Sequence, residues 1–177
     1  MTDQRAQQAG DSGTRGVLRF LAFALLWMVG LQILIATTLW GSGLLESHLR
    51  LQATLARALL SPVYSELRVT GTVVSSPRFA MEVKHGCDAL QPIAIFLAVV
   101  VAFPARWSEK IIGAVVGVVL LLVLNVVRLS TLYVVGHHFE EYFELMHMTV
   151  WQGLFVLSAF GLWMAWVAWL GRRARPG

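Results

Sequence analysis

The chain is short of the residues that make a soluble surface. Only 14% of its 177 residues are charged, against about 25% in an ordinary globular domain. Cysteine occurs once, as Cys87. One thiol excludes an intramolecular disulfide and any site that takes two thiolates from one chain. Internal repeats and low-complexity segments are also missing. What fills the chain is apolar: 57% of residues are hydrophobic and the mean hydropathy is +0.68. That balance points to an integral membrane protein. The net charge of +4 would make nucleic acid a candidate partner for a soluble domain. Here the basic residues flank apolar runs, where they act as orientation signals, and no nucleic acid is expected.

Four apolar runs are legible, at 17–40, 87–103, 111–135 and 148–170. A helix rises about 1.5 Å per residue and the bilayer core is about 30 Å thick, so each run can cross or nearly cross it. The second is the shortest, entered at Cys87 and closed by Pro104. The first is too long for the apolar region of a signal peptide and lacks a clean small-residue cleavage site. It is expected to stay as a helix, with Trp40 as an interface anchor. Residues 1–16 are polar and rich in Gly, Ser and Gln, which predicts a disordered tail.

Short loops set the orientation. Arg15 and Arg19, then Arg106 and Lys110 in the loop 104–110, then Arg172, Arg173 and Arg175 in the tail 171–177 all fall on one side. The positive-inside rule makes that side the cytoplasm, with both termini. The outer face then holds 41–86 and the connection 136–147. Within 44–60, charges alternate with Leu44, Leu45, Leu49, Leu55, Leu59 and Leu60, which predicts an amphipathic helix on the membrane, ended by Pro62. The stretch 67–84 alternates around Gly71 and Ser75-Ser76-Pro77, which predicts a small β-hairpin. The expected fold is therefore an all-α integral membrane protein of about four transmembrane helices, with an extracytoplasmic amphipathic helix and hairpin.

Two residues that are costly in lipid, Arg128 and His147, meet the single thiol at the outer face of this topology. Cys87 starts the second span, Arg128 lies about 12 Å inside the third, and His147 precedes the fourth. A lone cysteine is most simply a small buried apolar residue. If Asp88 or a neighbour caps the following helix, however, the thiol sits where the helix dipole favours a thiolate. Arg128 either snorkels to the headgroups or faces a cavity inside the bundle. Asn125 is one turn earlier on the same face, able to orient the guanidinium or to bond between helices. His85, two residues from the thiol, is a weaker candidate to assist it. Together the three types suit acyl transfer: a thiolate attacks a carbonyl, an imidazole moves the proton, and a fixed cation stabilises negative charge.

The stretches HGCDALQPIAIF, LNVVRLS with its Asn-x-x-Arg, and FELMHMTVWQ resemble the exosortase/archaeosortase family of multipass cysteine transpeptidases. The resemblance spans roughly 83–165, and is similar in particular to the small exosortase H-like branch. It implies Cys87 as nucleophile, with Arg128 and His147 completing the site. It also implies exported protein substrates carrying a C-terminal sorting tail, made of a short motif, a transmembrane helix and a basic cluster. Cleavage near the motif through a thioester, transfer to an unspecified acceptor nucleophile, and residence in a bacterial inner membrane follow from it. No cofactor, metal or ATP is implied, since a thioester conserves the energy of the cleaved bond. Many members carry Ser or Thr and then Gly after the cysteine, where this chain has Asp88-Ala89. That leaves the local backbone and any oxyanion donor there open.

Two other readings compete. His137, His138, Glu140, Glu141, Glu144 and His147 form a dense cluster that could bind a metal or haem, although such a site leaves Arg128 unexplained. A non-enzymatic assembly or carrier protein is the other, and it predicts tolerance of Cys87→Ala.

Overall fold

The computed structural model describes residues 43–173, together with 17–18, 21–23, 25–30, 33–34 and 37. The expected tail 1–16, residues 19–20, 24, 31–32, 35–36 and 38–42 in and just beyond the expected span 17–40, with its expected anchor Trp40, and residues 174–177 lie outside the described residues.

Helix α1 runs Gly43–Leu60. Its buried face is Leu49, Gln52, Ala53, Ala56 and Leu60, at helical spacing. Those residues pack on the long helix α3 (Trp107–His138) and on the sheet. The leucine stripe read from the sequence divides. Leu49 and Leu60 go inward, while Leu44, Leu55 and Leu59 stay exposed alongside Leu51. Alanines on the inner face let α1 approach α3 closely, and the outer leucines offer a second apolar surface suited to lipid.

After α1 the chain folds into three antiparallel strands in the order β1 (Arg68–Thr70), β2 (Val73–Ser75) and β3 (Ala80–Glu82). Gly71, at φ 64°, supplies the left-handed residue of the tight β1–β2 turn. The expected hairpin thus gains a third strand. Its cause is the alternation after Pro77, which sends Met81 and Val83 inward beside Val74. The Tyr133 hydroxyl donates to Ser76 Oγ at 2.7 Å and fastens the sheet to α3.

Helix α2 is Leu90–Ala102, followed by α3 and by the helical run α4 (Glu140–Arg173). The three pack against one another pairwise. Gly117 on α3 allows a close approach, because a Cβ there would collide with the Phe96 ring of α2. At the opposite end from Cys87, Trp166 Nε1 of α4 donates to Glu109 O of α3 at 3.1 Å. Among the described residues, α3 and α4 are long and apolar enough to cross a membrane. Helix α2 is not: its 13 residues rise about 20 Å. The second expected span began at Cys87, yet the helix begins at Leu90. Residues 86–89 are held instead in a turn with left-handed Gly86 and Ala89. The expected connection 136–147 is also largely helical. It contains a 3₁₀ turn Glu140–Tyr142, one α turn Phe143–Leu145 and the start of a π-helical turn Met146–Val150.

Candidate active site

Cys87 lies in the turn between β3 and α2, outside the helical spans, and His147 lies in the π-helical turn of α4. Cys87 Sγ and His147 Nε2 are 3.0 Å apart, within hydrogen-bond reach for sulfur. These residues are 60 positions apart in the chain, and the packing of α2 against α4 brings them together. The His147 ring stacks on Phe143 one turn earlier, at 5.9 Å between centroids, which limits its rotation. π turns recur at functional sites because the extra residue re-aims the side chains around it.

Asn125 and Arg128 share a face of α3 and both are buried. Asn125 Nδ2 donates to the Cys87 carbonyl at 2.8 Å. Asn125 is thus tied to the thiol-bearing turn itself. Arg128 is 5% exposed, so it does not snorkel. Its guanidinium carbon sits 5.4 Å from the Phe155 ring centre of α4, an attractive cation–π arrangement. Among the described residues no carboxylate pairs with it, and its Nε has no hydrogen-bond partner. The buried Asp88 carboxylate and the Cys87 thiol are near enough to act on its charge without touching it, so the guanidinium keeps hydrogen-bonding capacity for a further group beside the thiol.

Asp88 is 1% exposed. Its Oδ2 meets His85 Nδ1 at 2.8 Å, and its Oδ1 accepts from the Leu90 N–H at 3.1 Å. The carboxylate therefore stops the turn and starts α2, while the N-cap residue itself is Ala89, at φ 62° and ψ 3° with no side-chain cap. A left-handed alanine costs roughly 1–2 kcal/mol and persists only where its surroundings hold it. His85 is thereby engaged with Asp88, the residue that follows the thiol. One contributor escaped sequence reasoning: His48 of α1, whose Nε2 donates to the Asp88 carbonyl at 3.0 Å. Its only sequence signal is its place four residues before the buried Gln52 on the same helix face.

Burial pushes the Cys87 thiol above its usual pKa. The Arg128 charge pulls it back, Asp88 pushes it further up, and a backbone hydrogen bond at Lys84 opposes that. The net rise leaves the thiol protonated near neutrality, so a partner that removes its proton is needed. Iodoacetamide labelling of Cys87 is expected to accelerate with pH, with a midpoint above the ordinary thiol value of about 8.5. Arg128→Leu removes the cation that favours the thiolate, so its midpoint is expected to move higher still. A midpoint unchanged or lowered in Arg128→Leu would show that the guanidinium does not act on the sulfur.

The histidine- and glutamate-rich segment does not form a metal cluster: among the described residues no three His, Cys, Asp or Glu side chains converge. His138 Nε2 bonds the Tyr64 hydroxyl at 2.9 Å, and His137 stacks on Tyr133. His147 turns toward the thiol.

The fold is that of a helical membrane protein whose long apolar helices pack around a buried arginine and a thiol–imidazole pair. The family model described as Transmembrane exosortase (Exosortase_EpsH) matches residues 9–169, and the chain belongs to that family. It is a family of membrane cysteine peptidases and transpeptidases that act on exported proteins with C-terminal tails. No curated protein and no solved structure matches the chain.

Proposed function

We propose that this protein is a membrane cysteine transpeptidase that removes the C-terminal sorting tail of exported proteins through a thioester on Cys87. The observation that carries the reading is the 3.0 Å approach of Cys87 Sγ to His147 Nε2. His147 takes the thiol proton as sulfur attacks the scissile carbonyl, then delivers it to the departing amine. Arg128 stabilises the negative charge that develops, since a fixed cation in a low-dielectric site needs no reorganisation. Asn125 holds the Cys87 peptide.

In this reading the chain crosses the inner membrane four times, by 17–40, α2, α3 and α4, with both termini in the cytoplasm. Arg106, Lys110, Arg172 and Arg173 lie at the end of the bundle opposite the thiol, as the positive-inside rule requires. Helix α2 is short for a span, and it packs against both α3 and α4. An apolar groove of about 290 Å³ between α2 and α4, lined in part by Pro92, Ile95, Val156 and Phe160, lies on the helix that follows the Cys87 turn and on the helical run that carries His147. It offers the substrate's own transmembrane helix a surface beside the scissile bond.

The test is co-expression with a tagged substrate from the same genome that carries a motif, a transmembrane helix and a basic cluster. Processing near the motif is expected, with the acyl fragment recoverable on Cys87 as an adduct that hydroxylamine releases. An intact substrate at normal levels of both proteins would refute the assignment.

A further inference from the structure

The turn that bears Cys87 orients two peptide groups through side chains from other elements. The Cys87 carbonyl accepts from Asn125 Nδ2 at 2.8 Å, and the Asp88 carbonyl accepts from His48 Nε2 at 3.0 Å. Both peptides are trans, since the described residues contain no cis bond. A trans peptide points its N–H opposite to its carbonyl. The bond to Asn125 therefore turns the Asp88 N–H away from α3, and the bond to His48 turns the Ala89 N–H away from α1.

Those two amides have no hydrogen-bond partner among the described residues, whereas their neighbours do. The Cys87 N–H is bonded to Lys84 O at 2.9 Å and the Leu90 N–H to Asp88 Oδ1 at 3.1 Å. The left-handed Ala89 gives the chain the curl in which successive amides form an anion-binding concavity. A second observation points to a ligand at the same place. Asn125 is 0% exposed and reaches the turn, yet its Oδ1 is unpartnered, as is Nε of the 5% exposed Arg128 one turn later. Buried polar groups are ordinarily satisfied, so spare capacity of both signs around one sulfur marks a site for a peptide group.

We propose that the Asp88 and Ala89 amides form the oxyanion site for acyl transfer at Cys87, and that His48 is a positioning residue that fixes the orientation of the Asp88–Ala89 peptide. The inference rests on Cys87 being the nucleophile. As sulfur bonds to the acyl carbon, the C=O π pair moves to oxygen, which becomes an anion facing the two N–H groups. The pair then returns, the bond to the leaving group breaks, and the leaving atom takes the proton that His147 received from the thiol. A thioester remains on Cys87. This answers what Asp88-Ala89 supplies where many family members carry Ser or Thr and Gly: the side chain of Asp88 shapes the turn, and its backbone does the chemistry. It also gives α1 a part in catalysis.

Two small reagents separate this role from a general structural one. Acetylation of Cys87 by p-nitrophenyl acetate passes through an oxyanion, and alkylation by iodoacetamide does not. Both are measured on the full chain in detergent micelles, for wild type, His48→Ala and His48→Gln. His48→Ala is expected to slow acetylation roughly ten- to a hundred-fold, short of the loss of a donor outright, and to leave alkylation unchanged. The glutamine amide can donate to the same carbonyl, so His48→Gln is expected to recover most of the acetylation rate. The proposal is overturned by equal losses in both reactions, by no loss in acetylation, by failure of glutamine to rescue, or by a wild-type thiol that alkylates without acetylating. A wild type inert to both reagents removes the nucleophile and both readings with it. Should wild type react with both reagents yet cut no tail substrate, the sorting function fails, and the oxyanion site is still judged by the His48 variants.

Discussion

Cys87→Ala is expected to abolish tail cleavage altogether while leaving protein levels and folding close to wild type. The reasons for the two halves differ. Cleavage fails because the chain has one cysteine, and no other thiol can form the acyl-enzyme. Folding survives because the turn is held by backbone and neighbouring groups: the Cys87 carbonyl by Asn125, the Cys87 N–H by Lys84 O, and Asp88 by His85, His48 and Leu90. Alanine keeps every one of these bonds. The side chain lost is small and half-buried, so the stability cost is about 1 kcal/mol. The measurement is the ratio of cleaved to intact substrate at matched enzyme levels. Full activity in Cys87→Ala would remove the thiol mechanism and favour a carrier or scaffold role.

His147→Ala is expected to lower cleavage by about 10²–10⁴-fold, the range for loss of a general acid–base group. Burial holds the Cys87 thiol protonated, so without the imidazole 3.0 Å away little thiolate exists near neutrality. The residual rate should therefore climb steeply with pH, as solution hydroxide takes over deprotonation. His147→Gln, which fills similar space and cannot accept a proton, should behave like alanine. If His147 only packed on Phe143, glutamine would recover activity and the pH profile would stay as in wild type. A single-turnover pH series on the three proteins separates these outcomes.

The departures between sequence and structure follow a physical pattern. The period of apolar residues located α3 and α4, because long runs with at most one charge, Arg128 in α3, are buried in lipid or core. It placed the second span's start too early. Apolar period says nothing of a turn whose conformation comes from side chains elsewhere, and Gly86 and Ala89 break the helix ahead of Leu90. The same limit hid the third strand. A strand as short as Ala80–Glu82 is stable only through its pairing with β2.

By itself the sequence determined the apolar character of the chain, its longest helices, its family, and the residue types that can do acyl transfer. Those follow from composition, local periodicity and motif, which are properties of neighbours along the chain. Tertiary structure alone decided that Cys87 and His147 touch across 60 positions, that Arg128 is buried against Phe155 rather than snorkelling, and that His48 of α1 reaches the Asp88 carbonyl. Each of these is a contact between separate elements. It depends on how helices cross and which small residues let them approach, as Gly117 does under Phe96. No one-dimensional pattern encodes the distance between two atoms brought together in this way.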